Sequence, residues 1–401
     1  MQPTASIDEP RSPPSTGLTL FDHGSRVFFF LAALYGAVAR GCWIPIFVGM
    51  VRLPTTVSST LWHAHELIYG FGAAGVAGFL LTAVPRWTGT PARHGPWLMA
   101  LAAIWLLDRI AMFTMGWMIP PWLSALGDLV FLPALALSVA GPLRAATAGR
   151  NLALFAVVAV LWCGDLAMHA EFAGWAAGTA ARGARVGIDV LLVVMVIGAR
   201  MVPAFTTDAT RGADAALSVP SFYLLDRATV AAMALLAVSD AAIGLSAVTG
   251  VIALAAALLC AIRLGAGRDV DSPIPWVLTI GYAWLAVGLA LRAAAALGGA
   301  VPEPAALHAL TAGAIATMLV AVISRAALGH AAQPLKVRHA TIAACALLSL
   351  AAALRVVAPF APGAFEHLLA AAGTAWTLAF LLVLGVYTPI LVAPRAGSLP
   401  R

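Results

Sequence analysis

Charge is what this sequence has least of. Only 10% of its 401 residues are charged, 23 Lys and Arg against 17 Asp and Glu, whereas 62% are hydrophobic. A soluble domain carries about 25% charged residues, so this chain cannot build an ordinary water-facing surface. Cysteine is scarce too. The four (Cys42, Cys163, Cys260 and Cys345) form no C-x-x-C pair, which argues against a disulfide framework and a thiolate metal site and leaves small apolar packing residues. Loops long enough for a soluble domain are also lacking, so whatever the protein does happens inside its apolar segments.

Those segments are runs of about 20 apolar residues, each long enough as a helix to cross a hydrocarbon core about 30 Å thick. Twelve spans are predicted, roughly at 26–50, 61–84, 95–116, 121–144, 150–174, 178–202, 223–246, 248–268, 274–297, 304–329, 338–359 and 363–393. The fold class is therefore an all-α integral membrane protein, a bundle of about twelve transmembrane helices. A short turn near Thr249-Gly250 divides the seventh span from the eighth. Residues 1–22, rich in Pro, Ser and Thr, are expected to form a disordered cytoplasmic tail and not a signal peptide. Residues 23–395 form the transmembrane domain and 396–401 a second cytoplasmic tail.

Basic residues gather after the even-numbered spans: Arg86 and Arg93, Arg144 and Arg150, Arg200 and Arg211, Arg263 and Arg268, then Arg325, Lys336 and Arg338. The positive-inside rule puts those loops and both termini in the cytoplasm. The net charge of +6 thus reflects topology and not nucleic-acid binding.

Orientation gives each histidine a depth. His63 and His65, His169, His308 and His367 fall in one layer near the outer leaflet; His23, His94, His330 and His339 fall at the cytoplasmic surface. A lone imidazole in a bundle usually makes an interhelical hydrogen bond. Several at one depth on different helices also suit haem iron, copper or zinc. His63 and His65 lie about 200° apart on a helix, so a regular helix cannot turn both toward one metal. His65 shares a face with Tyr69 and Gly72, and His63 with Glu66 and Gly70. Glycines 70, 72, 75 and 78 leave a smooth wall, for close helix packing or for a cofactor face. Asp108-Arg109, Asp128, Asp165 and Asp189 lie within spans, where an ionised group costs about 2.5–3.5 kcal/mol. Asp165 and His169 are four apart and share a face. Such acids neutralise a neighbour, orient a ligand or pass protons; Glu66, Tyr69, Asp165 and Asp189 are the candidates for the last two roles.

Longer stretches carry a resemblance. "WHAHELIYGFGAAGVAGFLLTAVPRWTG" (62–89) is similar to the signature stretch of the NnrS family, bacterial inner-membrane proteins associated with nitric oxide. "GARMVPAFTTD" (198–208), "GYAWLAVGL" (281–289), "LHALTAGAIATMLVAVISRAALGHAAQPL" (307–335) and "LRVVAP" (354–359) resemble further motifs of that family. Arg86 departs from its pattern, where a neutral or polar residue precedes the tryptophan. The resemblance implies a twelve-span protein with haem b and copper that relieves nitric oxide stress under denitrifying or nitrosative conditions. It implies nitric oxide as ligand or substrate, and an electron donor in the membrane or periplasm.

His63, His65, His169 and His308 are then the expected haem and metal ligands, with His65 and His308 axial to haem and His63 with His169 binding copper or orienting the site. Arg325 and His330, about one and a half turns apart at the cytoplasmic face, cap a helix and meet lipid headgroups, or anchor haem propionates. Three functions suit these residues: a centre that captures and reduces nitric oxide, a protein that binds it or handles metal or haem without turnover, and a transporter whose histidines only pack.

Overall fold

A backbone in lipid must satisfy its own hydrogen bonds, and apolar runs of this length do so as helices. The computed structural model describes residues 19–55, 57–145, 150–210, 220–266, 273–330 and 338–393. Residues 1–18 and 394–401 of the expected tails lie outside the described residues. The helices are α1 (Gly24–Phe47), α2 (Ser59–Thr88), α3 (Pro96–Thr114), α4 (Pro121–Asp128), α5 (Phe131–Ala145), α6 (Arg150–Phe172) and α7 (Ala180–Thr210). They continue as α8 (Pro220–Ile243), α9 (Ala247–Ala266), α10 (Pro273–Ala296), α11 (Glu303–Gly329), α12 (His339–Val357) and α13 (Phe365–Val392). Ten segments among the described residues are long and apolar enough to cross a membrane, α4 and α5 counting as one. α7 and α8 occupy the predicted sixth and seventh spans.

Two boundaries differ from expectation. The fourth span breaks between Asp128 and Phe131, after Gly127, a poor helix former. The break frees backbone carbonyls, and Trp162 Nε1 donates to one of them, Leu129 O, at 2.9 Å. The turn between α8 and α9 falls at Gly244 (φ +65°), not at Thr249-Gly250. Thr249 instead lies in the first turn of α9, where its Oγ1 accepts from the Ser246 N–H at 2.8 Å. Gly250 is inside that helix, where a Cβ would sit 2.9 Å from Ala296 Cβ.

α2 and α11 lie at the centre: 89% and 83% of their most apolar stretches are buried, against 33–56% for the other eight of these ten segments, and α7 beside them is buried throughout residues 186–196. Both pack on α7, while α1, α10, α12 and α13 close around them. Each also departs from the α-helix in the same way. One turn of π-helix occupies Glu66–Gly72 in α2 and Ala309–Ile315 in α11. Each follows a histidine in the pattern His-x-Leu-x-x-Gly: His65, Leu67, Gly70 and His308, Leu310, Gly313. π turns are rare and gather at functional sites.

The glycine wall of α2 is a packing surface. A Cβ at Gly72 would lie 2.5 Å from Leu191 Cδ1 of α7, at Gly75 3.1 Å from Leu319 of α11, and at Gly78 2.6 Å from the Phe29 ring of α1. Three helices thus approach one, each against a glycine. Gly78→Val is expected to cost about 1–3 kcal/mol through overpacking against Phe29. Gly127→Ala, where a Cβ meets nothing within 4 Å, should be neutral or stabilising. Thermal unfolding of the purified protein in detergent measures both; equal stability of the two variants would contradict the packing.

Candidate metal centre

His65 closes the regular first turns of α2, just before the π segment, and points into the bundle. There it meets α6, whose Asp165 and His169 stand one turn apart on one face, and Asp128, at the break after α4. The His65 Nε2 atom lies 2.9 Å from Asp128 Oδ2 and 3.0 Å from Asp165 Oδ1. His169 Nε2 lies 2.8 Å from Asp128 Oδ2 and 3.8 Å from Asp165 Oδ1. None of the four residues is more than 2% exposed. Their ligand atoms all fall within 4.8 Å of one another, and each of these four separations is shorter than two metal–ligand bonds of about 2.1 Å.

Around this core stands a shell that fixes it. His65 Nδ1 faces Glu66 Oε1 at 2.9 Å. Arg109 donates to Glu66 Oε1 at 2.8 Å and to Asp128 Oδ1 at 3.0 Å, and also bonds its neighbour Asp108. The Tyr35 hydroxyl donates to Glu66 Oε2. Trp105 Nε1 donates to Gly70 O at 3.1 Å, within the π turn. The rings of Tyr69, His169 and Phe172 surround the His65 imidazole at 5.4, 5.1 and 5.8 Å. Tyr69 is held in a slot between helices. Its hydroxyl donates to Gly183 O at 2.7 Å, and a Cβ at Gly187 would come 2.6 Å from its Oη.

Charge decides what this arrangement can hold. Three carboxylates (Glu66, Asp108, Asp128) pair with one guanidinium, that of Arg109, and a fourth, Asp165, faces His65 and His169. Buried charge without a partner costs several kcal/mol, so the cluster calls for further positive charge. One Nε2–H on His65 cannot serve both Asp128 and Asp165 fully, whereas one cation can take all three groups as ligands. The His65 Nδ1–Glu66 contact then becomes the bond that orients a ligating imidazole. The donors are imidazole and carboxylate, a set for copper, zinc, iron or manganese, with no sulfur to favour copper(I) over copper(II).

Sequence reasoning grouped His63, His65, His169 and His308 by depth, and the structure divides them. His65 joins His169. His63 turns away and stacks on Trp43, ring centroids 4.3 Å apart, in a pocket whose Arg355 reaches His308. The axial pair His65–His308 and the copper pair His63–His169 are therefore not brought together. Asp165 and Glu66 lie at the centre, and Tyr69 forms its wall. Asp189 belongs elsewhere, 2.6 Å from Arg292 Nη1 in a buried group with Asp240. Arg325 lies toward the other end of α11, and the side chain of His330 is outside the description. His367 is exposed.

Asp128, Arg109 and Tyr35 were not among the expected site residues. The intramembrane acids signalled two of them, but not which helices would meet. A macrocycle does not fit against His65, whose ring nitrogens both face carboxylates and whose glycine wall is filled by Leu191, Leu319 and Phe29. The donor set fits a bare ion.

A family model described as NnrS protein matches residues 19–395 of the chain. No curated protein matches it. The geometry predicts that His169→Ala and Asp165→Asn abolish metal uptake by the purified protein, and that Glu66→Gln weakens it about 10- to 100-fold. Asp189→Asn should leave it unchanged. Metal titration with elemental analysis measures this, and undiminished uptake by His169→Ala would refute the assignment.

Proposed function

The chain belongs to the NnrS family, matched over residues 19–395, and from that premise we propose a metal-centred mode of action. Its role lies in the response to nitric oxide, and its helices make it a multi-pass membrane protein. On our reading it sits in the bacterial cytoplasmic membrane with both termini inside, binds copper through His65, His169, Asp128 and Asp165, and takes nitric oxide there. The observation that carries this is the buried group of two histidines and two aspartates, with four carboxylates in the cluster and a single arginine that pairs with three of them.

Copper bound there supplies a one-electron redox centre and a coordination site for nitric oxide. The chain's own residues do the rest. Arg109 ties Asp108, Asp128 and Glu66 into one network, so the ligands keep their positions whether or not an ion is present. Phe172 and Tyr69 close the centre to water, which favours a small uncharged molecule arriving through lipid. Glu66, which is no ligand on this reading and lies between His65 Nδ1 and the Tyr35 hydroxyl, is the proton-carrying group beside the ion that reduction of nitric oxide to nitrous oxide requires.

Haem b enters this reading at His308. Its Nδ1–H donates to Pro304 O at 2.6 Å and its Nε2 accepts from Arg355 Nη2 at 2.6 Å; a haem held there would take Nε2 in place of that arginine. An electron donor in the membrane or periplasm would serve both centres.

Reconstituted, pre-reduced protein given nitric oxide tests the reading. Nitrous oxide in excess of the protein is the expected result for a reductase, and uptake of one molecule per centre for a carrier. Both should be lost in His169→Ala. Nitric oxide uptake that survives in His169→Ala would contradict the role of this centre.

A further inference from the structure

α2 presents His63 to a second centre of opposite charge. Arg40 of α1, only 4% exposed, holds its guanidinium carbon 4.4 Å from the centroid of the Trp43 ring. Arg355 of α12 approaches the same ring at 5.6 Å, and His63 stacks on it. Arg355 Nη2 also donates to His308 Nε2 at 2.6 Å. Three basic side chains thus gather about one indole, and a fourth, His308, is joined to them through Arg355. The charged neighbours of His63 and His308 are Arg40, Arg355 and each other's pocket, with no carboxylate among them.

The acids on the surrounding elements are engaged elsewhere. Glu66 is held by His65, Arg109 and Tyr35. Glu303 pairs with Arg185 at 3.1 Å, and Glu366 is exposed. Meanwhile Arg40 Nη1, Arg355 Nε and Nη1, and His63 Nδ1 are buried without a hydrogen-bond partner. A guanidinium stays protonated throughout the physiological range, and like charges do not gather in a buried site unless something negative joins them.

We propose that Arg40, Arg355 and His63 form a binding site for a planar oxyanion, a carboxylate or a nitrite-like ion, at the same end of the bundle as the metal centre. Guanidinium groups match the paired oxygens of such a ligand with parallel N–H donors. The indole fixes both arginines from one side, and the unpartnered His63 Nδ1 adds a third contact. The chemistry has two sources. One is a free ion. The other is a propionate of a haem held at His308, and only this arm rests on the haem reading above.

The experiment uses the full chain purified in detergent, with nitrite as the probe in isothermal titration and haem content read by pyridine haemochrome. Expected for a free ion is saturable binding of one nitrite per chain, weakened at least tenfold in Arg355→Gln and partly restored in Arg355→Lys. Expected for the propionate is a haem-containing wild type that takes up no nitrite and an Arg355→Gln variant that loses haem at least severalfold. Arg355 is half-buried, so its variants test the site even where Arg40→Gln does not fold. Saturable nitrite binding of equal strength in wild type and Arg355→Gln overturns the proposal. So does a protein in which neither nitrite binding nor haem content depends on Arg355. Copper content of the same samples separates the two centres, since copper-free protein with intact anion binding would sink the metal reading alone.

Discussion

A charge inside a lipid-embedded bundle must find its opposite within a few ångströms, because no water is there to take its place. That constraint arranges this protein. Asp189 and Asp240 meet it with Arg292, and Arg109 meets it in part with Glu66, Asp108 and Asp128. Where pairing within the chain stops short, two sites remain. One has carboxylates in excess and the ligand set of a cation, and the other has arginines without a carboxylate. Read by charge, the bundle is a neutral scaffold with one cation-seeking and one anion-seeking centre.

α2 joins the two. His63 and His65 stand on opposite faces of its first turns, so one short stretch borders both centres. The π turn that follows, repeated after His308 in α11, sits where both helices are most buried. Its widened backbone is supported from outside: Trp105 bonds Gly70 O, and Tyr69 reaches across to Gly183. Glycines along the rest of α2 let α1, α7 and α11 approach closely enough to hold the two faces in place.

Much of this was legible in the sequence. Hydropathy alone located most of the helices to within a few residues, because a span's length is dictated by the membrane, although α7 runs on to Thr210 and the fourth span is broken. The shared face of Asp165 and His169 followed from helical spacing, and the two-faced start of α2 from the 200° between His63 and His65. What local rules could not supply was which helices meet. Depth grouped five histidines, but only the packing of α4 and α6 against α2 separates His65 with His169 from His63 with His308. Asp189 was a candidate as an acid within a span, yet its partner is Arg292 on α10. The glycines were open to two readings, and neighbouring side chains decide for packing. The repeated His-x-Leu-x-x-Gly was present in the sequence all along, and its meaning needed the π turns. Arg40 had no local signal, since an arginine in a span reads the same with or without an acid nearby.

The account rests on a metal ion held by two imidazoles and two carboxylates. X-ray absorption at the copper edge of the purified, copper-loaded protein tests it most directly. The account predicts nitrogen and oxygen neighbours at about 2.0–2.2 Å with the multiple-scattering signature of two imidazoles, lost in Asp128→Asn with His169→Ala. A sulfur neighbour, or a copper environment unchanged in that double variant, would contradict it.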